Sequence, residues 1–160
     1  IDLSRILSKN GQLLLIQKIP ALGQRIASLL LKHFPSENQL CMSLENAENE
    51  FFQGIQGRDE TREIFSWDHT SIQESLRNKG VGFCCEITPF TEERILTNQE
   101  IDLWFDSSKS PYGSCISEAV GKESLSRIKN LLYSLTQKTI QWTTSTAFFV
   151  MSDLVSSCKK

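Results

Sequence analysis

Three segments of the chain carry apolar residues in the patterns typical of β-strands. Residues 12–19 read QLLLIQKI, with four consecutive apolar residues between Gly11 and Pro20. A continuous run of this kind predicts a central strand that is covered on both faces, as in a parallel sheet. Residues 81–90 (VGFCCEITPF) and residues 139–153 predict two further strands, and β-branched and aromatic side chains dominate the last of them.

Apolar residues three and four positions apart predict helices between these strands. The clearest helical period lies in residues 122–138, and Thr97 and Glu100 form a T-x-x-E capping box that predicts another helix start. The remaining predicted helices are a turn around residues 3–7, two longer helices over 21–34 and 36–52, and a short helix that follows Trp67-Asp68 and ends at Gly80.

This order of elements predicts an α/β fold with a small mixed sheet of about three strands. Such a sheet has two edges, which are costly to leave unpaired. We therefore expect residues 1–160 to form a single domain whose sheet edges are covered by a neighbouring protein or by a missing N-terminal half of the same polypeptide. The chain begins at Ile1, and we expect no signal peptide there, because basic residues followed by an apolar run do not stand at its start. From this we expect a C-terminal fragment of a longer protein.

Composition and charge narrow the class of function. Hydrophobic residues make up 39% of the chain and charged residues 22%, with a formal net charge of −2. The basic residues are scattered, whereas nucleic-acid binders concentrate them in a stripe. We therefore expect no strong direct nucleic-acid binding and no membrane partner. The five cysteines contain no CxxC motif, so we expect reduced, mostly buried thiols in a cytoplasmic protein.

The sequence predicts no catalytic residue, no cofactor-binding residue and no metal site. The glycine pair Gly80 and Gly82 precedes a strand, whereas a dinucleotide loop follows one. Residues 119–124 (AVGKES) resemble a phosphate-binding loop only superficially, because an isoleucine replaces the first glycine and a glutamate follows the lysine. Asp68 beside His69 has a catalytic interpretation, but a helix N-cap followed by a solvated histidine is the favoured one.

The most unusual polar cluster follows the first predicted strand and consists of Gln17, Lys18, Gln24 and Arg25. Ligands of open α/β sheets gather beside the carboxyl ends of strands, so these residues are candidates for lining a cleft or contacting a partner. In the alternative interpretation, the two glutamines bond to loop backbone and the two cations are solvated. Trp67 and Asp68 complete the candidate set, with core packing as the alternative for the tryptophan.

Several short motifs resemble known families. Residues 8–14 (SKNGQLL) resemble the region of strand five in class I S-adenosylmethionine-dependent methyltransferases, whose closing strand pair would here be residues 82–90 and 139–153. More narrowly, part of the chain looks like the C-terminal extension of some cyanobacterial AAA+ ATPases of the replication-associated recombination protein A (RarA, or MgsA) family. The motifs that carry this second likeness are residues 17–25 (QKIPALGQR), Trp67-Asp68, Trp104-Phe105, Gln141-Trp142-Thr143 and Ser145.

The RarA resemblance implies a non-catalytic accessory domain in DNA replication and recombination repair. Its partner would be the rest of the parent chain or a replication or repair protein, and ATP and Mg²⁺ would be bound by the parent. The alternative is the substrate-side half of a methyltransferase that uses S-adenosylmethionine, with residues 17–25 facing a cleft. Walker motifs and a glycine-rich cofactor loop are both missing from these 160 residues.

Overall fold

The structure, a computed structural model, describes residues 11–54 and 69–152. Within those ranges it contains a three-stranded sheet and five α-helices, which confirms the predicted small α/β class. The elements are β1 (Leu13–Lys18), α1 (Ile26–His33), α2 (Asn38–Gly54), α3 (His69–Asn78), β2 (Gly82–Ile95), α4 (Asn98–Trp104), α5 (Pro111–Tyr133) and β3 (Thr139–Ser152). Two 3-10 turns, Pro20–Leu22 and Pro35–Glu37, precede α1 and α2. The helix predicted at residues 3–7 lies outside the described residues.

The strand order of the sheet is β1-β3-β2. Strands β1 and β3 are antiparallel, in a register that runs from Leu13 opposite Met151 to Lys18 opposite Thr146. In the described part of the chain β1 is therefore an edge strand of an antiparallel sheet, and the prediction of a central, parallel strand is wrong. The apolar run was misleading, because a strand with apolar residues on both faces is usually covered on both faces. In the described part of the chain, one face of β1 is exposed even though its side chains are apolar.

The chain divides into two compact units, and the described part of the first comprises residues 11–23, 69–90 and 144–152. In this unit one face of the sheet, which we call the inner face, packs against α3. Ile72 of α3 is buried there together with Phe149 of β3, and Phe83 of β2 packs against the same cluster. The φ angle of Gly80 is +67°, as the predicted C-terminal cap of α3 requires.

The second unit, described over residues 24–54 and 91–143, has a helical core. Helices α1, α2, α4 and α5 supply most of its buried side chains, and Ile140 of β3 joins them. The central members, all fully buried, are Leu30, Leu44, Ile101, Ile116, Ile128 and Leu132. The periodicities predicted for 36–52 and 122–138 therefore identified the correct faces of α2 and of the second half of α5.

Helix α1 begins five residues later than its sequence predicts. The helical pattern predicts a start at residue 21, but Ile19 and Gln24 still form backbone hydrogen bonds to β3. The N–H of Ile19 donates to the carbonyl of Ser145 at 2.8 Å, and the N–H of Gln24 donates to the carbonyl of Thr143 at 2.7 Å. These two bonds hold Ile19 and Gln24 to β3, so α1 begins only after Gln24.

Helix α5 is longer at its start than the sequence predicts. The helical period predicts a start at residue 122, yet the helix begins at Pro111, and the N–H of Gly113 donates to the Oγ of the N-cap Ser110 at 3.0 Å. Proline in the first helical turn and serine at the N-cap are both favoured. The φ angle of Gly121 is +78° and marks a kink in α5, so residues 119–124 lie within a helix.

The capping box predicted for α4 is confirmed. The N–H of Glu100 donates to the Oγ1 of Thr97 at 3.2 Å, and the Oε2 of Glu100 accepts from the N–H of Thr97 at 2.9 Å. Burial acts to raise the pKa of Glu100, but the hydrogen bonds from Thr97 and the charge of Arg94 outweigh it and lower that pKa. The box therefore fixes the start of α4 through contacts within four residues.

Replacing Thr97 by alanine is expected to lower the free energy of unfolding by about 1 kcal/mol, because the first turn of α4 loses its side-chain acceptor. Chemical denaturation monitored by circular dichroism measures this change. Gln99→Ala, an exposed position in the same turn, is the matched control and should leave stability nearly unchanged. Equal stability of Thr97→Ala and the wild type would show that the box contributes nothing.

Candidate functional site

Two of the predicted site residues, Gln17 and Lys18, end β1 in the first unit. The Nε2 of Gln17 donates to the carbonyl of Lys18 at 3.1 Å, and the side chain of Lys18 is exposed. These contacts agree with the alternative interpretation, in which the glutamine bonds to backbone and the lysine is solvated. Trp67 and Asp68, the last two candidates, lie outside the described residues.

Gln24 and Arg25 belong to the second unit, and both make local contacts there. The Nε2 of Gln24 donates to the carbonyl of Arg25 at 2.9 Å. The guanidinium of Arg25 lies 3.8 Å from the ring centroid of Phe52, and its Nη1 donates to the carbonyl of Glu48 at 3.4 Å. Arg25 is therefore packed against α2, which does not fit the alternative interpretation of a solvated cation for this residue.

The structure shows a buried polar residue that the sequence reasoning missed. Glu48 of α2 is only 2% exposed, and its carboxylate accepts three hydrogen bonds. Its Oε1 accepts from the N–H of Ile26 and from the hydroxyl of Tyr112, each at 2.9 Å, and its Oε2 accepts from the N–H of Ala27 at 3.2 Å. Because Arg25 at the N-cap offers no side-chain acceptor, Glu48 caps α1 from a neighbouring helix.

Burial and hydrogen bonding act in opposite directions on this cluster. Burial raises the pKa of Glu48, while the bonds from Ile26, Tyr112 and Ala27 and the charge of Arg25 only partly offset it. Burial and the nearby Glu48 carboxylate also raise the pKa of the Tyr112 hydroxyl well above its ordinary value. Perturbed groups of this kind often mark catalytic sites. Here both carboxylate oxygens already accept bonds from the protein itself, so the arrangement positions α1 against α2 and α5.

The raised pKa of Glu48 predicts a pH dependence of stability. A carboxyl whose pKa is higher in the folded state favours folding below its unfolded pKa, here 4.5, and loses that contribution as the pH rises through the folded pKa. The unfolding free energy of the wild type minus that of Glu48→Gln should therefore be larger at pH 4 than at pH 7. Urea denaturation of both proteins at each pH tests this. A difference that is constant or grows with pH would contradict it.

Two of the three tryptophans form a stacked pair in the second unit. The ring centroids of Trp104 and Trp142 lie 5.5 Å apart at an interplanar angle of 29°, and the guanidinium of Arg94 lies 4.7 Å from the Trp142 ring. Arg94 also forms an ion pair with Glu100. Both tryptophans are half-buried and pack against the core of this unit. This agrees with the core-packing interpretation for both residues.

An exposed apolar surface lies on the face of the sheet opposite α3 in the first unit. We call it the outer face and define it as Leu14, Ile16, Phe90, Phe148 and Val150. The strand register places Leu14 opposite Val150 and Ile16 opposite Phe148. The ring centroids of Phe90 and Phe148 lie 6.3 Å apart. Leu14 is 56% exposed, Ile16 55% and Phe90 47%. Contiguous apolar patches of this kind mark interaction surfaces in soluble proteins.

Other surface features among the described residues offer weaker sites. A groove of about 470 Å³ lies between α2 and α5, but it is polar, and its arginine, Arg127, already pairs with Glu37 at 2.6 Å. Within residues 11–54 and 69–152 no three His, Cys, Asp or Glu side chains are grouped as a metal site requires. Cys41 is buried, but Cys84 is exposed, so the expectation of mostly buried thiols is wrong for Cys84.

A scan against protein-family models finds none that matches the chain, and a search of curated proteins also finds no match. In the part of the chain that the structure describes, no helix has the length and apolar character needed to cross a bilayer. The outer face is the feature of the described residues that bears most directly on function.

Proposed function

We propose that this chain is a non-catalytic interaction domain of a RarA-type AAA+ ATPase that acts in DNA replication and recombination repair in the cytoplasm. The outer face is the surface through which it packs against the rest of the parent polypeptide. ATP and Mg²⁺ are bound by the ATPase part of that polypeptide, and this chain contributes a docking surface.

The observation that carries the proposal is the combination of exposure and apolarity on the outer face. Three of its side chains, Leu14 and Ile16 of β1 and Phe90 of β2, are each about half exposed on the two strands that flank β3 in one sheet. Covering a large apolar side chain contributes about 1.5–3 kcal/mol. A surface of this composition is stable in water when another polypeptide covers it.

Charge also favours a protein partner. None of the five outer-face residues is charged, and the chain has 17 basic and 19 acidic residues. Nucleic-acid binding depends on phosphate neutralisation by clustered cations. Five apolar side chains with a single adjacent cation, Lys18, do not form such a cluster, whereas they match the apolar core of a protein interface.

The test begins with the complete gene and with the polypeptide that it encodes besides this chain. We expect a Walker A motif there, and we expect that polypeptide, expressed separately, to bind the 160-residue chain in isothermal titration calorimetry. The double variant Leu14→Asp, Ile16→Asp should weaken binding by more than about 100-fold, since it places two charges in the interface. Leu103→Asp, which alters an equally exposed leucine of α4, is the matched control and should bind like the wild type.

Two results would overturn the proposal. One is a gene that encodes no ATPase motif. The other is binding that the double variant leaves unchanged. Tight binding of S-adenosylhomocysteine by the complete protein would instead support the methyltransferase alternative.

A further inference from the structure

We infer that a segment of the parent polypeptide completes this sheet, with one strand pairing along the edge of β1 that is free among the described residues and a covering layer packing on the outer face. This inference rests on the proposed function, and it specifies what kind of segment the docking surface accepts. Three observations on the first unit support it. They are the direction in which the backbone amides of β1 point, the weaker protection of the β1 edge against pairing, and the geometry that pairing with a second copy of this chain would require.

The backbone of β1 presents unpaired groups at the same positions that expose apolar side chains. The N–H of Ile19 donates to Ser145 of β3, and the register continues this pairing back along β1. Because alternate residues of an antiparallel strand point their backbone groups to opposite sides, Leu15 and Gln17 face β3. The N–H and C=O groups of Leu14 and Ile16 therefore face the other edge of β1, where no strand lies among residues 11–54 and 69–152. A backbone in extended conformation can pair with groups spaced in this way.

The two edges of the sheet differ in how they are protected. Within the first unit β2, the other edge strand in the described sheet, contains Pro89 and the charged residue Glu86. Proline and charge are the devices by which natural edge strands avoid pairing. β1 reads LLLIQK: it contains no proline, and its one charge, Lys18, stands at its last residue, so Leu14 and Ile16 have neither device beside them. The β1 edge thus has the composition of a strand that is paired and covered on both faces.

A second copy of this chain is a poorer occupant of the same edge. Antiparallel pairing of β1 with β1 of a second copy requires a twofold axis perpendicular to the sheet if opposed side chains are to share a face. That axis keeps both outer faces on one side of the enlarged sheet. Self-pairing would therefore satisfy the amides of Leu14 and Ile16 but leave an apolar face twice as large exposed. A segment that supplies both a strand and a covering layer resolves both problems.

Amide hydrogen exchange measured residue by residue tests this inference in the complete parent protein and in the 160-residue chain. In the chain alone, we expect the amides of Leu14 and Ile16 to exchange rapidly while those of Leu15 and Gln17 are protected by β3. In the complete protein, the amides of Leu14 and Ile16 should become protected by at least about 100-fold. Ile16→Lys should abolish this gain, and Leu103→Lys, the matched control, should preserve it.

The remaining outcomes separate the two proposals. Binding of the parent polypeptide without protection of Leu14 and Ile16 would overturn the strand pairing and leave the proposed function standing. No binding at all would overturn both. Protection in the chain alone that rises with protein concentration would identify a second copy at the edge, and protection independent of concentration would identify another segment of this chain; either result overturns the inference.

Discussion

Replacing Glu48 by alanine is expected to lower the free energy of unfolding by roughly 3–5 kcal/mol, the range for removing one member of a buried, hydrogen-bonded charge cluster. The variant would leave the N–H groups of Ile26 and Ala27 and the hydroxyl of Tyr112 without their acceptor. It would also leave the half-buried guanidinium of Arg25 without its nearest carboxylate. Urea denaturation at pH 7 measures the loss.

Glu50→Ala is the matched control for this prediction. Glu50 lies on the same helix and is exposed, so its replacement should change stability by no more than about 0.5 kcal/mol. Glu48→Gln, which keeps the shape and one acceptor, should fall between the two. A Glu48→Ala protein as stable as the Glu50→Ala protein would mean that the carboxylate does not hold α1 in place.

Gly113→Ala is expected to destabilise the protein by at least about 3 kcal/mol, through steric overlap that the backbone is unable to relieve. A Cβ at this position would lie 2.7 Å from the carbonyl oxygen of Trp104 and 2.8 Å from the carbonyl carbon of Phe105. These are main-chain atoms at the end of α4, so no side-chain rotation makes room. Only glycine allows α5 to cross α4 this closely.

The direction of the stability change in Gly113→Ala distinguishes steric overlap from helix propensity. Alanine is favoured over glycine by about 0.5–1 kcal/mol within a helix, so propensity alone predicts that Gly113→Ala is stabilising. Ser114→Ala, at the exposed neighbouring position, is the control and should be nearly neutral. Thermal unfolding of the two variants measures the difference. A higher melting temperature for Gly113→Ala than for the wild type would contradict the close approach.

Features that depend on contacts close in sequence were predictable. The capping box of Thr97 and Glu100 involves residues three positions apart, and Gly80 ends α3 by a local turn. The apolar faces of α2 and α5 follow from helical spacing alone. In each of these cases the partner of a residue lies within a few positions, so the sequence pattern contains the whole interaction.

Features that depend on distant partners were missed or misread. Glu48 bonds to residues 21, 22 and 64 positions away, although its place four residues after Leu44, on the apolar face of α2, was a signal. The start of α1 was misplaced because Gln24 bonds to Thr143, which no local pattern shows. The apolar run of β1 was read as a strand covered on both faces, and the structure leaves its outer face open.

The most direct test of the account measures the solvent exposure of the outer face in the complete protein. Hydroxyl-radical footprinting reports the oxidation rates of Leu14, Ile16 and Phe90 in the 160-residue chain and in the proposed parent polypeptide, with Leu103 as the internal reference. We expect the oxidation of all three to fall sharply in the proposed parent polypeptide while that of Leu103 is unchanged. Equal oxidation of the three residues in both proteins would show that nothing covers this face, and would contradict the account.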